Sequence, residues 1–554
     1  MTELPLDRAY HWERTRPNEI FLSQPIHGVV RDWTWAQTMD EARRMASHLL
    51  AQNWPAGSHI VIYSKNCSWW ILADLAIWLS GHVSVPIYPS LTPHSAHQLF
   101  EHCNPVACFL GPLDSADLSL TAVPAGVYAI RFPNAPATES VPWEEILKTN
   151  SPLGLNPQRD ADDIATIIYT SGTTGTPKGA MHRFGAFPYL AAAIREVAGE
   201  SRQRQLSYLP LAHIAERALS ETTAIYYSWN LFFTESTATF LTDLKRSRAT
   251  VFFSVPRLYS KFQQRVFEKV PRQTLERLLR VPVLRSLVRK YILRSMGFGH
   301  TKFAASGSAA LPIDVLKWFL DLGLPLTEGY GTTETGITHT APNGESRPGY
   351  SGKSTPGVEA KLSEAGELLL RSPMNMAGYY KNPEESRQAL TDDGFIRTGD
   401  LAQITPDGWS KITGRIKDQF KTSKGKYVAP SRIEALISAH PAVENCLVLG
   451  TDLAAPCAVV VLTNEAERQA RTEEGRAELQ KSFEDLLHSI NAQVEAHEHL
   501  ALIGIVNDHW TMDSGFITPT LKLKRIPLEA HYGPLILEWL SRASRVVWSL
   551  KSTQ

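Results

Sequence analysis

A chain of 554 residues with 43% hydrophobic content exceeds what one core organises, so two or more domains are expected. Lysine plus arginine and aspartate plus glutamate each total 56, which leaves no net field for a polyanion and argues against a nucleic-acid partner. Five scattered cysteines lack metal-ligand spacing and disulfide density, and the start Met-Thr-Glu-Leu-Pro-Leu-Asp has no signal-peptide pattern, so a cytoplasmic location is expected.

From about 35 to 170, helical patterns (Trp35 to Leu50, Trp69 to Leu79, Pro93 to His102) alternate with short apolar runs (His59 to Tyr63, Val83 to Ile87, Ala107 to Leu110). This alternation predicts a mixed or parallel sheet covered by helices. The most apolar stretch, Trp69 to Tyr88, contains Asp74, Gly81, His82 and Pro86 and passes from helical to strand spacing, so it reads as a buried helix and strand rather than a membrane span.

Ile164 to Tyr169 reads as a strand, and Thr170-Ser171-Gly172-Thr173-Thr174-Gly175-Thr176-Pro177-Lys178-Gly179 follows it. Glycines let backbone approach an anion, the hydroxyls add donors and Lys178 adds a mobile charge, so the loop suits a polyphosphate. The common nucleotide loop has glycine before its lysine and a Mg²⁺-binding hydroxyl after it. Pro177 and Gly179 occupy those places here, which disfavours that reading.

Further on, Leu209 to Arg217 centres on His213, Phe252 to Tyr259 is aromatic, and Ala304 to Leu311 is a run of small residues around Gly307. Residues 271–300 carry seven basic side chains against Glu276 alone, interleaved with leucine, valine and isoleucine. They predict a basic amphipathic helix pair, either a solvated face on a packed helix or a peripheral contact with anionic lipid. In Glu328-Gly329-Tyr330-Gly331-Thr332-Thr333-Glu334, Tyr330 can stack on adenine, Thr333 can bond an α-phosphate and Glu334 can give Mg²⁺ a hard oxygen ligand.

Alternating runs from 350 to 415, with turns at Pro356-Gly357, Asp393-Gly394 and Asp407-Gly408, predict a β-rich subdomain that includes Thr398-Gly399-Asp400 and Gly414-Arg415. A compact α+β unit follows, with apolar runs at Cys446 to Gly450 and Ala458 to Leu462, a charged helix over Glu465 to His488 and a strand over Ala501 to Val506. The boundary falls near Lys417, giving domains 1–415 and 416–554. Leu535 to Leu550, with Trp539 and Trp548, is expected to dock within the chain.

These motifs, in this order, resemble those of the adenylate-forming superfamily, which comprises acyl-CoA synthetases, luciferases and peptide-synthetase adenylation domains, and most closely the bacterial long-chain fatty acyl-CoA synthetases. The resemblance runs from about residue 30 to 530. It implies an α/β fold: a large N-terminal AMP-binding domain of layered sheets with a β-rich subdomain, and a small mobile α+β domain. It implies ATP, Mg²⁺ and CoA as cofactor and co-substrates, with Thr170, Ser171, Gly172, Thr173, Thr174, Gly175 and Lys178 on the phosphates and Gly307 and Tyr330 beside the adenine.

Asp400 and Arg415 correspond to residues that reach the ribose, a carboxylate being the natural acceptor for vicinal hydroxyls. Thr333, Glu334 and His213 are carried over as catalytic, His213 beside the acid and Glu334 also as metal ligand. Lys417 aligns with the hinge, and Lys421 and Gly425 with the loop that enters the site after the hinge turns, where basic residues suit CoA phosphates. The usual Ser-Gly-Lys ending is replaced by Thr518-Pro519-Thr520-Leu521-Lys522-Leu523-Lys524-Arg525. Its spacing to arginine favours Lys522 as catalytic lysine, with Lys524 the alternative. The implied activity is fatty acid–CoA ligation through an acyl-adenylate. A ligase that loads a carrier protein, or a CoA ligase for an aryl or branched acid, stays open at this point.

Overall fold

A computed structural model of the chain describes residues 3–113, 119–170, 178–199, 201–511, 514–518 and 522–549. The strands His59–Tyr63, Val83–Ile87 and Ala107–Leu110 lie where the sequence places them and pair in parallel. They form the middle of an eight-stranded sheet whose order is Gly378–Tyr379, Lys178–Arg183, Ile164–Thr170, Val83–Ile87, His59–Tyr63, Ala107–Leu110, Tyr128–Arg131, Val141–Pro142. Lys178–Arg183 is antiparallel to both of its neighbours, so the phosphate-loop hairpin sits one strand in from the edge.

A seven-stranded sheet runs Leu326–Glu328, Phe303–Ser306, Val251–Ser254, Arg204–Ser207, Asn230–Phe233, Ile20–Ile26, Val29–Thr34. One core cluster takes Ile60, Ile62 and Phe109 from the first sheet, Phe21, Leu231 and Phe233 from the second, and residues of the helices Trp35–Ala51, Ser68–Leu79 and Phe187–Ala198. Every residue of Ser68–Leu79 is buried, which explains why its sequence is apolar on all sides without being a membrane span. Among the described residues no helix is long and apolar enough to cross a membrane.

Asp74, inside that helix, is the reason a charge survives there. Its carboxylate bonds Arg217, whose guanidinium also donates to Thr166 Oγ1 at 3.1 Å and pairs with Glu221 at 3.1 Å; the side chains of Arg217, Asp74 and Glu221 are 1%, 0% and 0% exposed. Burial and then the charge of Asp74 push the Glu221 carboxyl well above its ordinary range. That direction favours the neutral form of Glu221 beside the buried Arg217–Asp74 ion pair. Arg217 opens a six-residue π-helical stretch, Arg217–Thr222, a locally widened helix on which residues 217 and 221 lie on the same side.

Residues 350–415 form the expected antiparallel sheet, Glu359–Leu362, Glu367–Arg371, Ile396–Ile404 and Ser410–Arg415, beside a small sheet of Tyr330–Thr332, Gly336–Thr340 and Lys353–Ser354. Beyond it, Val443–Leu449, Cys457–Leu462, Ile503–Val506 and Val546–Ser549 make a four-stranded sheet. Val448 and Val460 face the helices Pro430–Ser438 and Glu473–Asn491, whereas Leu447, Val459 and Val461 face Arg525–Leu540, the alternation of a strand buried on both sides. The segment 535–549 docks intramolecularly through Trp539 and the strand Val546–Ser549.

One element differs from the sequence reading. The single helix expected over 465–488 is two, Asn464–Gln469 and Glu473–Asn491. Thr472 restarts the helix by accepting the Gly475 amide at 3.1 Å, and a Cβ on Gly475 would lie 2.3 Å from the Gln469 carbonyl.

Candidate active site

Thr170 and Lys178 face each other across the phosphate-loop hairpin, with the Thr170 hydroxyl 3.4 Å from the Lys178 carbonyl. Ser171, Gly172, Thr173, Thr174 and Gly175 lie outside the described residues. The Lys178 ammonium is bonded by Glu385 and lies 5.7 Å from the centre of the Tyr379 ring. Tyr379 belongs to the strand added next to Lys178–Arg183, and its hydroxyl donates to Glu334 Oε1 at 2.9 Å. Tyr379 thus links Lys178 to Glu334. Neither Tyr379 nor Glu385 stands out in the sequence, where Gly378-Tyr379-Tyr380 was the available signal.

The strands Tyr330–Thr332 and Gly336–Thr340 turn so tightly that a Cβ on Gly331 would meet the Gly336 carbonyl at 2.0 Å. The turn presents Thr333 and Glu334, both half-buried, with the backbone of Thr333 against the ring of fully buried His182. Tyr330 donates its phenol to Asp400 Oδ2 at 2.6 Å, and Arg415 Nε donates to Asp400 Oδ1 at 2.8 Å. Asp400 and Arg415 are opposite one another on paired strands. Asp400 therefore has both oxygens engaged within the protein, and burial together with its charge raises the Tyr330 phenol well above its ordinary range.

A mainly apolar cavity with about 610 Å³ of atom-free space, part of it open to solvent, brings three distant sequence motifs together. His213 lines it from the start of a short helix, Ser306 and Gly307 from the end of a strand, and Tyr330 from the tight turn, with Ile194, Val197, Leu219 and Phe253 completing the apolar wall. His213 Nδ1 accepts the Ala215 amide at 3.1 Å, and burial followed by the charge of Lys522 pushes its pKa down to about 4. It is neutral at ordinary pH. A Cβ on Gly307 would come within 3.3 Å of the Phe253 ring and 3.4 Å of the Gly329 carbonyl, so a larger residue there would press on this wall.

Glu328 was not singled out, yet it faces the same cavity. One oxygen accepts the Leu311 amide at 3.1 Å, the other is buried without a partner, and burial pushes the carboxyl up to about 7. A carboxyl that titrates near 4.5 unfolded and near 7 folded stabilises the fold below pH 4.5 and loses that contribution as pH rises toward 7. Glu328→Gln should therefore gain on the wild type between pH 5 and pH 8, by up to about 3 kcal/mol. Thermal unfolding of both proteins at the two pH values measures this, and an unchanged difference would refute the assignment.

Lys522 approaches from the C-terminal part. Two hydrogen bonds tie its backbone to Thr518, whose amide donates to the Lys522 carbonyl at 2.8 Å and whose Oγ1 accepts the Lys522 amide at 3.0 Å. It is exposed to solvent while protein surrounds it, the situation of a group in an open cleft. Its pKa is lowered first by that crowding and then by Arg415, while Asp400 and Glu334 act in the opposite sense. Lys522 is thus within electrostatic reach of Glu334, Asp400, Arg415 and His213. Lys524 is exposed and begins the helix Arg525–Leu540. Arg525 turns inward instead, donating to the Val448 carbonyl at 3.0 Å and pairing with Glu434 and, at 3.6 Å, with Asp418.

Lys417 is exposed on the short turn Ile416–Asp418 that joins the β-rich sheet to the C-terminal part. Lys421 and Gly425 belong to an exposed hairpin over Phe420–Lys421 and Tyr427–Val428, with Gly425 at φ +77° closing its turn. Neither lines the cavity.

The fold and this convergence define a class. A family model described as AMP-binding enzyme matches residues 10–380, and one described as AMP-binding enzyme C-terminal domain matches 417–536, so the chain belongs to the AMP-binding enzyme family of adenylate-forming ligases. More particularly, it is 30% identical over 572 residues to the long-chain-fatty-acid–CoA ligase FadD15 of Mycobacterium bovis, covering 93% of this chain and 94% of that one. The peroxisomal long chain acyl-CoA synthetase 6 of Arabidopsis thaliana is 28% identical over 92% of this chain and 82% of its own. Among solved structures, the adenylation domain of a carboxylic acid reductase from Segniliparus rugosus, in complex with AMP and a co-purified carboxylic acid, shares the fold: TM-score 0.81, 21% identity, 98% of this chain and 94% of that chain covered.

Proposed function

We propose that the chain is an ATP-dependent CoA ligase for a medium- or long-chain fatty acid that works through an acyl-adenylate. The observation that carries this reading is that Lys522 lies within electrostatic reach of Glu334, Asp400 and Arg415 and also of His213, which lines the apolar cavity. A carboxylate does not lose oxide to a thiol, so the acid must first acquire a leaving group. Its oxygen attacks the α-phosphorus of ATP, the bond to pyrophosphate breaks, and a mixed anhydride with AMP forms. A CoA thiolate then adds to the acyl carbonyl, the thioester forms, and AMP departs.

The residues divide the labour accordingly. Thr170, Lys178 and the loop 171–177 receive the β- and γ-phosphates, Lys178 exchanging Glu385 for phosphate. Thr333 and Lys522 sit at the α-phosphate, where positioning and charge neutralisation supply most of the catalysis. Glu334 has one oxygen held by Tyr379 and presents the other. Among the described residues no cluster of three or more metal-ligating side chains exists. A single carboxylate suits Mg²⁺, which keeps waters and takes phosphate oxygens, and the ion would neutralise the pyrophosphate leaving group. Asp400, with Arg415, offers carboxylate oxygens to the ribose once Tyr330 turns toward the adenine beside Gly307.

We assign residues 1–415 and 416–554 to two domains that turn about Lys417, withdrawing Lys522 and bringing the Lys421–Gly425 loop toward CoA. The surface ion pair between Arg257 and Glu444 joins the two and must open in that turn. The names of the relatives support a long-chain acid and CoA as the acceptor. The test is AMP release with ATP, Mg²⁺ and acids from acetate to oleate and benzoate, each with and without CoA. AMP and acyl-CoA appearing together for fatty acids, and not for acetate or benzoate, is the expected result. Bound acyl-AMP that CoA fails to discharge would replace this reading with a carrier-protein ligase.

A further inference from the structure

The helices Arg272–Arg280 and Pro282–Ser295 form a hairpin that is anchored on one side and bare on the other. Leu275 and Ile292 are buried in the core cluster that includes Phe252, Tyr259 and Phe319. Val283, Leu287 and Tyr291 point the other way and are 76%, 63% and 75% exposed. Their spacing of four puts them on a single stripe of the second helix, and exposed Leu284, three residues before Leu287, lies beside it. Large apolar residues usually appear singly on a soluble surface; a stripe of this kind marks a site of interaction.

The charges around the stripe say what covers it. Among the described residues, Arg277, Arg280, Arg285, Lys290 and Arg294 have no ion pair, and the only acid of residues 271–300, Glu276, is taken by Arg272 at 3.0 Å. A second copy of the chain would set these cations against themselves, which like-charge repulsion opposes. A nucleic acid would leave the three large apolar side chains in water. We propose that this hairpin docks on an anionic lipid bilayer, its apolar stripe entering the interface and its basic residues meeting headgroup phosphates. At 14 residues the second helix is too short to span the bilayer and lies in its plane.

The hairpin follows the helix Pro256–Lys269, which begins directly after the strand Val251–Ser254 that gives Phe253 to the cavity. Docking would bring the wall of the acid pocket next to a membrane in which a fatty acid is dissolved; this consequence rests on the fatty-acid reading, whereas the docking itself does not.

The test uses the full chain without ATP or acid, sedimented with vesicles of phosphatidylcholine alone and of phosphatidylcholine mixed with anionic phosphatidylglycerol. The chain should pellet with the anionic vesicles only. Lys290→Glu/Arg294→Glu and Leu287→Ser/Tyr291→Ser should each weaken that binding at least about tenfold, while Leu155→Ser, at an isolated residue 73% exposed, should bind as wild type. Wild-type protein left in the supernatant with both vesicles, or hairpin variants that pellet unchanged, would overturn the proposal. So would a wild-type dimer in gel filtration that Leu287→Ser/Tyr291→Ser dissociates. Because no substrate is present, an inactive or differently specific enzyme cannot produce any of these outcomes.

Discussion

Lys522→Ala is expected to lower acid-dependent exchange of pyrophosphate into ATP by about 100- to 1,000-fold, the loss typical of removing a preorganised charge from a developing anion. Lys524→Ala should stay within about twofold, because among the described residues of the site no group is shifted by its charge, whereas the charge of Lys522 lowers the pKa of His213. The second half-reaction separates the proposed role from general damage. Given synthetic acyl-AMP and CoA, Lys522→Ala should form thioester near the wild-type rate, since the proposed turn about Lys417 withdraws its ammonium at that stage. If Lys524→Ala is the variant that loses exchange, or if Lys522→Ala loses both half-reactions equally, the assignment fails.

Arg217→Met should be the most destabilising single substitution in the core. It leaves Asp74, with a fully buried side chain, without its counter-ion, a change worth about 3–5 kcal/mol. The double variant Arg217→Met/Asp74→Leu removes the stranded charge as well and should recover much of the loss, because burial and the loss of Arg217 both favour the neutral form of Glu221. Thermal unfolding of the large domain in the three proteins decides the matter. Single and double variants of equal stability would mean that the ion pair contributes nothing beyond packing.

The contrast between Arg217 and the ATP motifs explains what could be read in advance. Tyr330, Glu334, Asp400 and Arg415 lie in short stretches whose residue types suit nucleotide chemistry, and short local patterns survive in sequence. The alternation of helix and strand gave the parallel strands at 59–63, 83–87 and 107–110 because burial on both faces leaves an unbroken apolar run. Arg217 sat within the quoted segment around His213, but its partner is 143 residues away inside an apolar helix, and nothing local announces that pairing. Tyr379 and Glu385 were missed for the same reason, since their meaning comes from a strand added to a distant hairpin. Glu328 stood next to the Gly329-Tyr330 turn, and only the fold shows that one of its oxygens lacks a partner. The break before Gly475 hinged on one threonine cap within an otherwise continuous charged pattern.

The added strand also bears on how the chain assembles. Gly378–Tyr379 closes the edge of a sheet whose neighbouring strand, Lys178–Arg183, is made some two hundred residues earlier, so Lys178 meets Tyr379 and Glu385 late in synthesis. Until then the growing polypeptide carries the nucleotide hairpin on an open strand edge, a template for unwanted pairing between nascent molecules. Fragments ending before Gly378 should accordingly collect in inclusion bodies, and a peptide spanning the missing strand should keep them in solution.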